Sequence, residues 1–508
     1  MAELELDTLE SKGLIRLATI QPELEYLFRH ALVQDAAYES LLKQERRSLH
    51  RLVGGALEEL YPDRGGELAA VLAHHFEQAG EHDKAVEYLL AAAEFAMARN
   101  AIVEAYDLLS RAEATLPAAA PDEDPAQRRR RLVVRFGRVK TGFSFLGDEE
   151  TFAMIGPLGA EAEALGDLRL AADIQLHEAL LRMYHGERPE TSTVLTELLE
   201  RVEQIAVELN DPVVSALPKS IIGLFQVFTG DLRAGVVTLQ EAAPLLEQRH
   251  DFVGSSFALM ALGIGLARLG RFDEAKAAAQ RATDVAEGGD VIAKIDALIG
   301  EAGVRTTMGD FEGAVPLAER CGEMAMASGA TACIVASSMV LGEALMRQGQ
   351  FGDARIVLER SGTIAEVTHQ SMFRPSINAY LRSAAASLGD FRPAGLTFDE
   401  ALVEARAIRD RWGETHVLWK RAETEAKKPD PDREQVLADY AAAAAGFEAM
   451  GARPYLARAL QDWGNALRTM GRPAEGQEKI RAALELFDEL GLVTEADALR
   501  EQLATSQN

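Results

Sequence analysis

Phosphate chemistry would need a glycine-rich loop whose bare backbone amides approach the anion, followed by Lys and then Ser or Thr. The sequence contains no Gly-Lys dipeptide, so it carries no such loop. Gly263-Ile264-Gly265-Leu266-Ala267-Arg268 half-matches a dinucleotide fingerprint, but the run lies inside a helical pattern and ends in Arg. Close helix packing accounts for its glycines. His177-Glu178 matches the opening of a zinc-protease helix, yet the next ligand position holds Leu181. His74 and His75 are adjacent, so on a helix they point about 100° apart and do not grip one metal as an i, i+4 pair would. Cys321 and Cys333 form no CxxC motif, and neither has a basic activator within its turn. The residue types for chemistry are present without the spacings that chemistry needs. The expectation is a chain that is not an enzyme, with no catalytic, cofactor or metal residues.

One basic cluster stands out, Arg128, Arg129, Arg130 and Arg131 with Arg135, Arg138 and Lys140. It reads as an exposed helix start tied to nearby acids, or as a docking patch for an acidic partner domain.

The elements that would position any site come from a repeat. In Phe257 to Ala282, Leu259, Leu262, Gly263 and Leu266 form one helical stripe, Leu269-Gly270-Arg271 breaks it, and Phe272, Ala275, Ala279 and Ala282 form a second. Turn glycines recur at 230, 270, 309, 349, 389 and 471, with intervals of 40, 39, 40 and 40 and then 82 residues. Lys428-Pro429-Asp430-Pro431 supplies the break inside the last interval. Two helices per period of about 40 predict a helical solenoid whose repeats touch only their neighbours. After the turns stand Phe272, Phe311, Phe351 and Phe391, each followed three residues on by Ala275, Ala314, Ala354 or Ala394. Small residues seven positions before the turns (Gly223, Gly263, Ala302, Gly342, Gly464) let paired helices approach; Arg382 departs from this, and Gly235 and Gly476 weaken helices where alanine is preferred. The pattern resembles tetratricopeptide repeats in a long-helix form. The implied fold is all-α, a right-handed α-solenoid of helical hairpins.

A formal charge of -27 opposes binding to phosphate backbones, so nucleic acid is excluded as a partner. The N-terminus has neither a basic start nor an apolar core, and no eighteen consecutive apolar residues occur. Together with two isolated cysteines this predicts a cytoplasmic protein with no membrane partner.

Residues 1–62 fall outside the period and read as a partial winged-helix-like α/β segment: a helix over 2–12, strands over 13–20 and 24–28 joined at Gln21-Pro22-Glu23, then helices over 30–43 and 45–61. Such a hairpin has few partners for its apolar face, which predicts that the chain begins inside a domain. Residues 63–116 hold the first helical repeats, 117–125 (PAAAPDEDP) a linker, 126–492 the tetratricopeptide-like solenoid, with turns near Gly147 and Gly186, and 493–508 a capping helix and tail.

The stretch LEYLFRHALVQDAAYESLLKQERRSLHRLVGGALEELYP, followed by LAAVLAHHFEQAGEHDKAVEYLLAAAEFA, resembles the segment between ATPase module and repeats in large bacterial STAND or AAA-type regulators. Those proteins often carry a class III adenylate or guanylate cyclase domain and end in tetratricopeptide repeats. The likeness covers about residues 3–115, and none of that family's catalytic motifs lies in it. It implies a regulatory C-terminal region, with an ATPase or cyclase domain as partner in cis or in trans.

In repeats of this kind the first helix of each hairpin lines the concave side. Counting from the turns places Leu224, Phe228, Phe257, Met260, Ile264, Arg268, Met339, Glu343, Met346, Arg347 and Tyr380 along the groove, where packing between repeats also claims them. As a set they suit a protein or peptide partner. Arg458, Gln461, Asp462, Asn465 and Arg468 make the far end polar, so the two ends would bind differently. The functional expectation is a non-catalytic binding scaffold in bacterial signal transduction. The alternatives are the C-terminal part of a nucleotide cyclase or ATP-dependent regulator, and a sensor of a small-molecule inducer.

Overall fold

A computed structural model describes residues 2–19, 25–99, 101–120, 122–142, 146–189, 191–249, 251–368, 370–392 and 395–505. The chain divides into two compact units, Met1–Met97 with Glu104–Val134, and Ala98–Val103 with Arg135–Asn508.

The first unit opens with α1 (Ala2–Ser11) and an antiparallel pair, β1 (Ile15–Thr19) and β2 (Glu25–Phe28), in which Ile15 faces Phe28 and Leu17 faces Tyr26. The expected turn at Gln21-Pro22-Glu23 lies outside the described residues. Next come α2 (Ala31–Glu39) and α3 (Lys43–Leu60). The expected helix to residue 43 stops early, at a Ser40 cap. None of the residues of α2 is buried, and Leu32, Leu42 and Leu52 stay exposed. Helices α4 (Gly65–Ala79), α5 (His82–Ala98) and α6 (Ile102–Thr115) follow, and α7 (Pro125–Gly142) begins in this unit and ends in the second. Phe76 centres the α3–α4–α5 packing: Tyr88 stacks on it at 5.5 Å, and Lys84 reaches over its ring to Glu58 at 2.7 Å. Gly54 of α3 makes room for the ring.

In the second unit α8 (Asp148–Ile155), α9 (Leu158–Ala164), α10 (Leu168–Tyr184) and α11 (Thr193–Leu209) lead into the regular block. The expected turn at Gly147 is only the cap of α8, and Gly166 makes the left-handed turn into α10. The hairpins are α12 (Pro212–Thr229) with α13 (Leu232–Gln248), α14 (Phe252–Arg268) with α15 (Phe272–Ala286), α16 (Val291–Thr307) with α17 (Phe311–Ser328), and α18 (Thr331–Arg347) with α19 (Phe351–Val367). They continue as α20 (Arg374–Ser387) with α21 (Phe398–Ala407), α22 (Arg411–Ala426) with α23 (Arg433–Met450), and α24 (Arg453–Thr469) with α25 (Pro473–Leu490), and α26 (Val493–Thr505) closes the stack. Within the hairpins Ala275, Ala314 and Ala354 are fully buried, as close packing of the second helix on the first requires. Helix α12 is the one described helix long and apolar enough to cross a membrane; half of it is buried among its neighbours in this unit.

Two readings of the repeats need correction. Gly235 and Gly476 are not simply weak helix residues: Gly235 faces Gly223, and Gly476 faces Gly464, so closely that a Cβ on either member would stand within 3.3 Å of the other's carbonyl oxygen. Glycine pairs thus bring backbone against backbone, which offsets the lost helix propensity. The hairpin after Gly389 also departs from the pattern. Phe391 is in a non-helical segment, Ala394 lies outside the described residues, and the second helix starts only at Phe398 with a Thr397–Glu400 capping box. Arg382, where other repeats have a small residue, fills this place and donates from Nε to the Leu396 carbonyl.

The larger correction concerns which repeats touch. Helix α12 packs on α22 and α14 on α24, five hairpins further along. The contact runs along the turns. A Cβ at Gly230 would stand 2.5 Å from Met450 Sδ and 3.1 Å from the Trp412 backbone nitrogen; Gly186 abuts Ile408, Gly270 Leu490, and Gly309 Glu495. At Gly349, Gly389 and Gly471 nothing lies within 4 Å. The second unit therefore coils until its later repeats meet its earlier ones along a seam. This explains why α14 is apolar on all sides: it is covered by its neighbours and by the returning coil.

Candidate functional site

The first helices of the hairpins face inward, and the seam encloses what they surround. At the centre is a chamber of about 40 Å³ lined by Phe228, Ile264, Arg268, Met339, Glu343 and Tyr380 from the earlier repeats, and by Trp412, His416 and Tyr455 from the returning coil. Arg268 lies with its guanidinium 3.7 Å from the Trp412 ring centroid and donates to the Val227 carbonyl at 2.9 Å. The Tyr455 hydroxyl donates to Glu343 Oε2 at 3.2 Å. Lys420, buried, sits 3.9 Å above the Trp419 ring and pairs with Glu423 at 2.8 Å. Burial raises Glu423, but Lys420 and Lys427 hold it below the usual carboxylate range. Burial pushes His416 well below its ordinary value, so it stays neutral, with Nδ1 2.9 Å from the Trp412 carbonyl. Asp410, the cap of α22, is raised to about 7 by burial despite Arg188 and Arg268 nearby. These groups lock the returning coil to the inner helices; the chamber has room for a few waters at most.

Leu224, Phe257 and Met260 line a different space, a cleft of about 410 Å³. Its walls come from α10 (Leu180, Tyr184), α12 (Leu217, Ile221), α14 and α18, and Asp296 of α16 stands in its lining. Met346 is buried away from both spaces, and the Arg347 guanidinium covers Trp419 at 4.9 Å. So six of the eleven groove residues meet at the chamber, three at the cleft and two at neither. The polar far end is occupied within the fold: Arg458 pairs with Glu495 at 2.7 Å, Asn465 accepts from Gln502, and Asp462 accepts from Trp419. Sequence reasoning missed Trp412, His416 and Tyr455, which belong to the returning coil, and Asp296, whose one signal was an acid inside an apolar helical stripe.

Of the arginine cluster, Arg130 pairs with Asp83 at 2.7 Å and Arg131 with Glu123 at 2.6 Å. His177 is buried against Phe136, and burial, then Lys140, pushes it down to about 3. Among the described residues no group of three His, Cys, Asp or Glu could hold a metal ion.

His74 and His75 join His50 in a cluster with Tyr38, with His50 Nδ1 2.9 Å from His75 Nδ1 and His50 Nε2 3.0 Å from the Tyr38 hydroxyl. Burial, then the neighbouring histidines, lowers His50 and His75 from the ordinary 6.5. A histidine that is harder to protonate folded than unfolded contributes stability above 6.5 and loses it as pH falls below. Once the intrinsic pH dependence of exchange is divided out, amide protection in α3 and α4 is therefore expected to fall as pH drops below 6.5, and His50→Gln should flatten that dependence.

The architecture defines the class: an all-α solenoid of tetratricopeptide-like helical hairpins carrying one small two-stranded sheet. No family model matches the chain. An uncharacterized protein of Rhizobium meliloti (strain 1021) is 31% identical over 106 residues, which is 21% of this chain and 10% of that protein. The chain thus spans about a tenth of that relative's length. Among solved structures, a Rap protein complexed with Competence and Sporulation Factor aligns with TM-score 0.46 and 12% identity, over 80% of this chain and 98% of that one. A STAND protein with a tetratricopeptide repeat sensor from Pyrococcus horikoshii aligns with TM-score 0.42 and 12% identity, over 90% and 75%.

Proposed function

We propose that this chain is a non-catalytic regulatory scaffold that binds a polypeptide segment of a partner on the inner face of its second unit. The observation that carries this is the cleft at α10 to α18. The centre of the coil is packed with its own side chains, whereas this end leaves about 410 Å³ between apolar walls, within the roughly 300–1,000 Å³ of typical ligand sites. Leu224, Phe257 and Met260 give it an apolar, adaptable lining suited to a partner's side chains. The likeness of residues 3–115 to signalling ATPases supports a setting in which the segment belongs to an ATPase or cyclase system of a bacterium, and in which the cluster Arg128, Arg129, Arg130 and Arg131 adds a docking contact.

The test is a photo-crosslinking amino acid at Phe257 in the full chain. It is expected to capture a polypeptide from the native host, whereas the same group at Val403, 67% exposed on the outer helix α21, captures none. Leu224→Glu, which puts a charge on the cleft wall, should abolish the product at 257. Equal capture from both positions, or capture that survives Leu224→Glu, overturns the reading.

A further inference from the structure

Asp296 is only 3% exposed, and its Oδ2 has no hydrogen-bond partner. It stands in the lining of the cleft among Ile292, Ile299, Cys333 and Ala336. An unpaired buried carboxylate is costly, and folds normally supply it with a donor or a counter-ion. Nothing in the cleft does so. Among the described residues the only other charged group in the lining is Asp251, already engaged in capping α14 through the Gly254 amide at 2.9 Å. The titratable groups that bear on Asp296 are Asp290 on its own side, Tyr184 from α10, Cys321 from α17 and Cys333 from α18. All are acids, and the lining contains no Lys, Arg or His among the described residues.

We propose that this end of the cleft receives an alkylammonium group, the side chain of a lysine in the bound segment, with Asp296 as its counter-ion and the apolar walls around its methylene stem. The inference rests on the reading of the cleft as a polypeptide site. The charge of the lining selects the cation: an acid-only, apolar-walled space repels carboxylates, and a neutral alcohol brings one O–H donor and no opposite charge where an ammonium brings three donors and a positive charge. Burial, then Asp290, raises Asp296 well above its ordinary value, so binding of an ammonium releases a proton and tightens as pH rises.

The experiment is titration calorimetry on the full chain with four probes: n-hexylammonium, 1-hexanol, hexanoate and N-acetyl-lysine methylamide. Hexylammonium is expected to bind at least about tenfold more tightly than hexanol, hexanoate not to bind, and the preference to grow as pH rises. Asp296→Asn should remove the preference while leaving hexanol uptake, which shows that the cleft still forms. Equal affinity for hexylammonium and hexanol, or a preference unchanged in Asp296→Asn, overturns the subsite. Binding of hexylammonium without N-acetyl-lysine methylamide overturns the lysine source. The polypeptide reading fails separately, through the crosslink at 257, so a preserved ammonium preference with no captured polypeptide would leave an amine site and remove the peptide.

Discussion

An Arg458→Met chain is expected to unfold with about 3–5 kcal/mol less stability in its second unit, the usual loss when one member of a buried charge pair is deleted. Arg458 is 1% exposed, and its guanidinium meets Glu495 of the closing helix at 2.7 Å and the carbonyl of Thr307, 151 residues earlier, at 2.9 Å. Methionine fills the space of the aliphatic stem but leaves the carboxylate and the carbonyl without a donor. Glu495 is 15% exposed and regains some water, which puts the loss toward the lower end. The three tryptophans of the chain, Trp412, Trp419 and Trp463, all lie in this unit, so a urea titration followed by their fluorescence reads it directly. Adding Glu495→Leu should recover much of the loss, because an apolar pair replaces a broken ionic one. A single variant as stable as the wild type would show that the Thr307 and Glu495 contacts do not hold the coil.

Gly230→Ala is expected to cost about 2–4 kcal/mol, and Gly349→Ala only about 1 kcal/mol. Both glycines end a first helix in the left-handed region, at φ 97° and 75°, so a Cβ strains both. They differ in surroundings. Gly349 has nothing within 4 Å of the added carbon, whereas at Gly230 it meets the Met450 sulfur and the Trp412 backbone nitrogen. The sulfur can swing aside, but the backbone of α22 cannot without opening the seam. The difference between the two variants in urea midpoint therefore isolates the contact between earlier and later repeats. Equal losses would mean that the seam contributes nothing at this point.

The hairpins were legible because each is local: a stripe of period 3.6, a glycine able to take positive φ, and an aromatic with a small residue three positions on, all within about 40 residues. The seam was not. It depends on the small rotation added at each repeat, and no window of sequence contains both Gly230 and Trp412. For the same reason the count from the turns found Phe228, Arg268 and Tyr380 on the inner helices but not Trp412, His416 or Tyr455 as the side chains that close over them. The hairpin after Gly389 misled because its aromatic and glycine sit at the right positions, while Arg382 had already signalled a wider spacing there. Gly235 and Gly476 were read by propensity alone, which is blind to a glycine facing it from the paired helix.

Solenoids usually behave as springs, stretching gradually because every joint yields a little. Clasped where Gly230 and Gly270 meet residues 412 and 490, the second unit would instead resist tension until the clasp lets go and then lengthen abruptly. Pulled from residues 212 and 490 in an optical trap, it should show a threshold force that Gly230→Ala lowers, so whatever this protein transmits along its length would travel as a switch rather than as a graded strain.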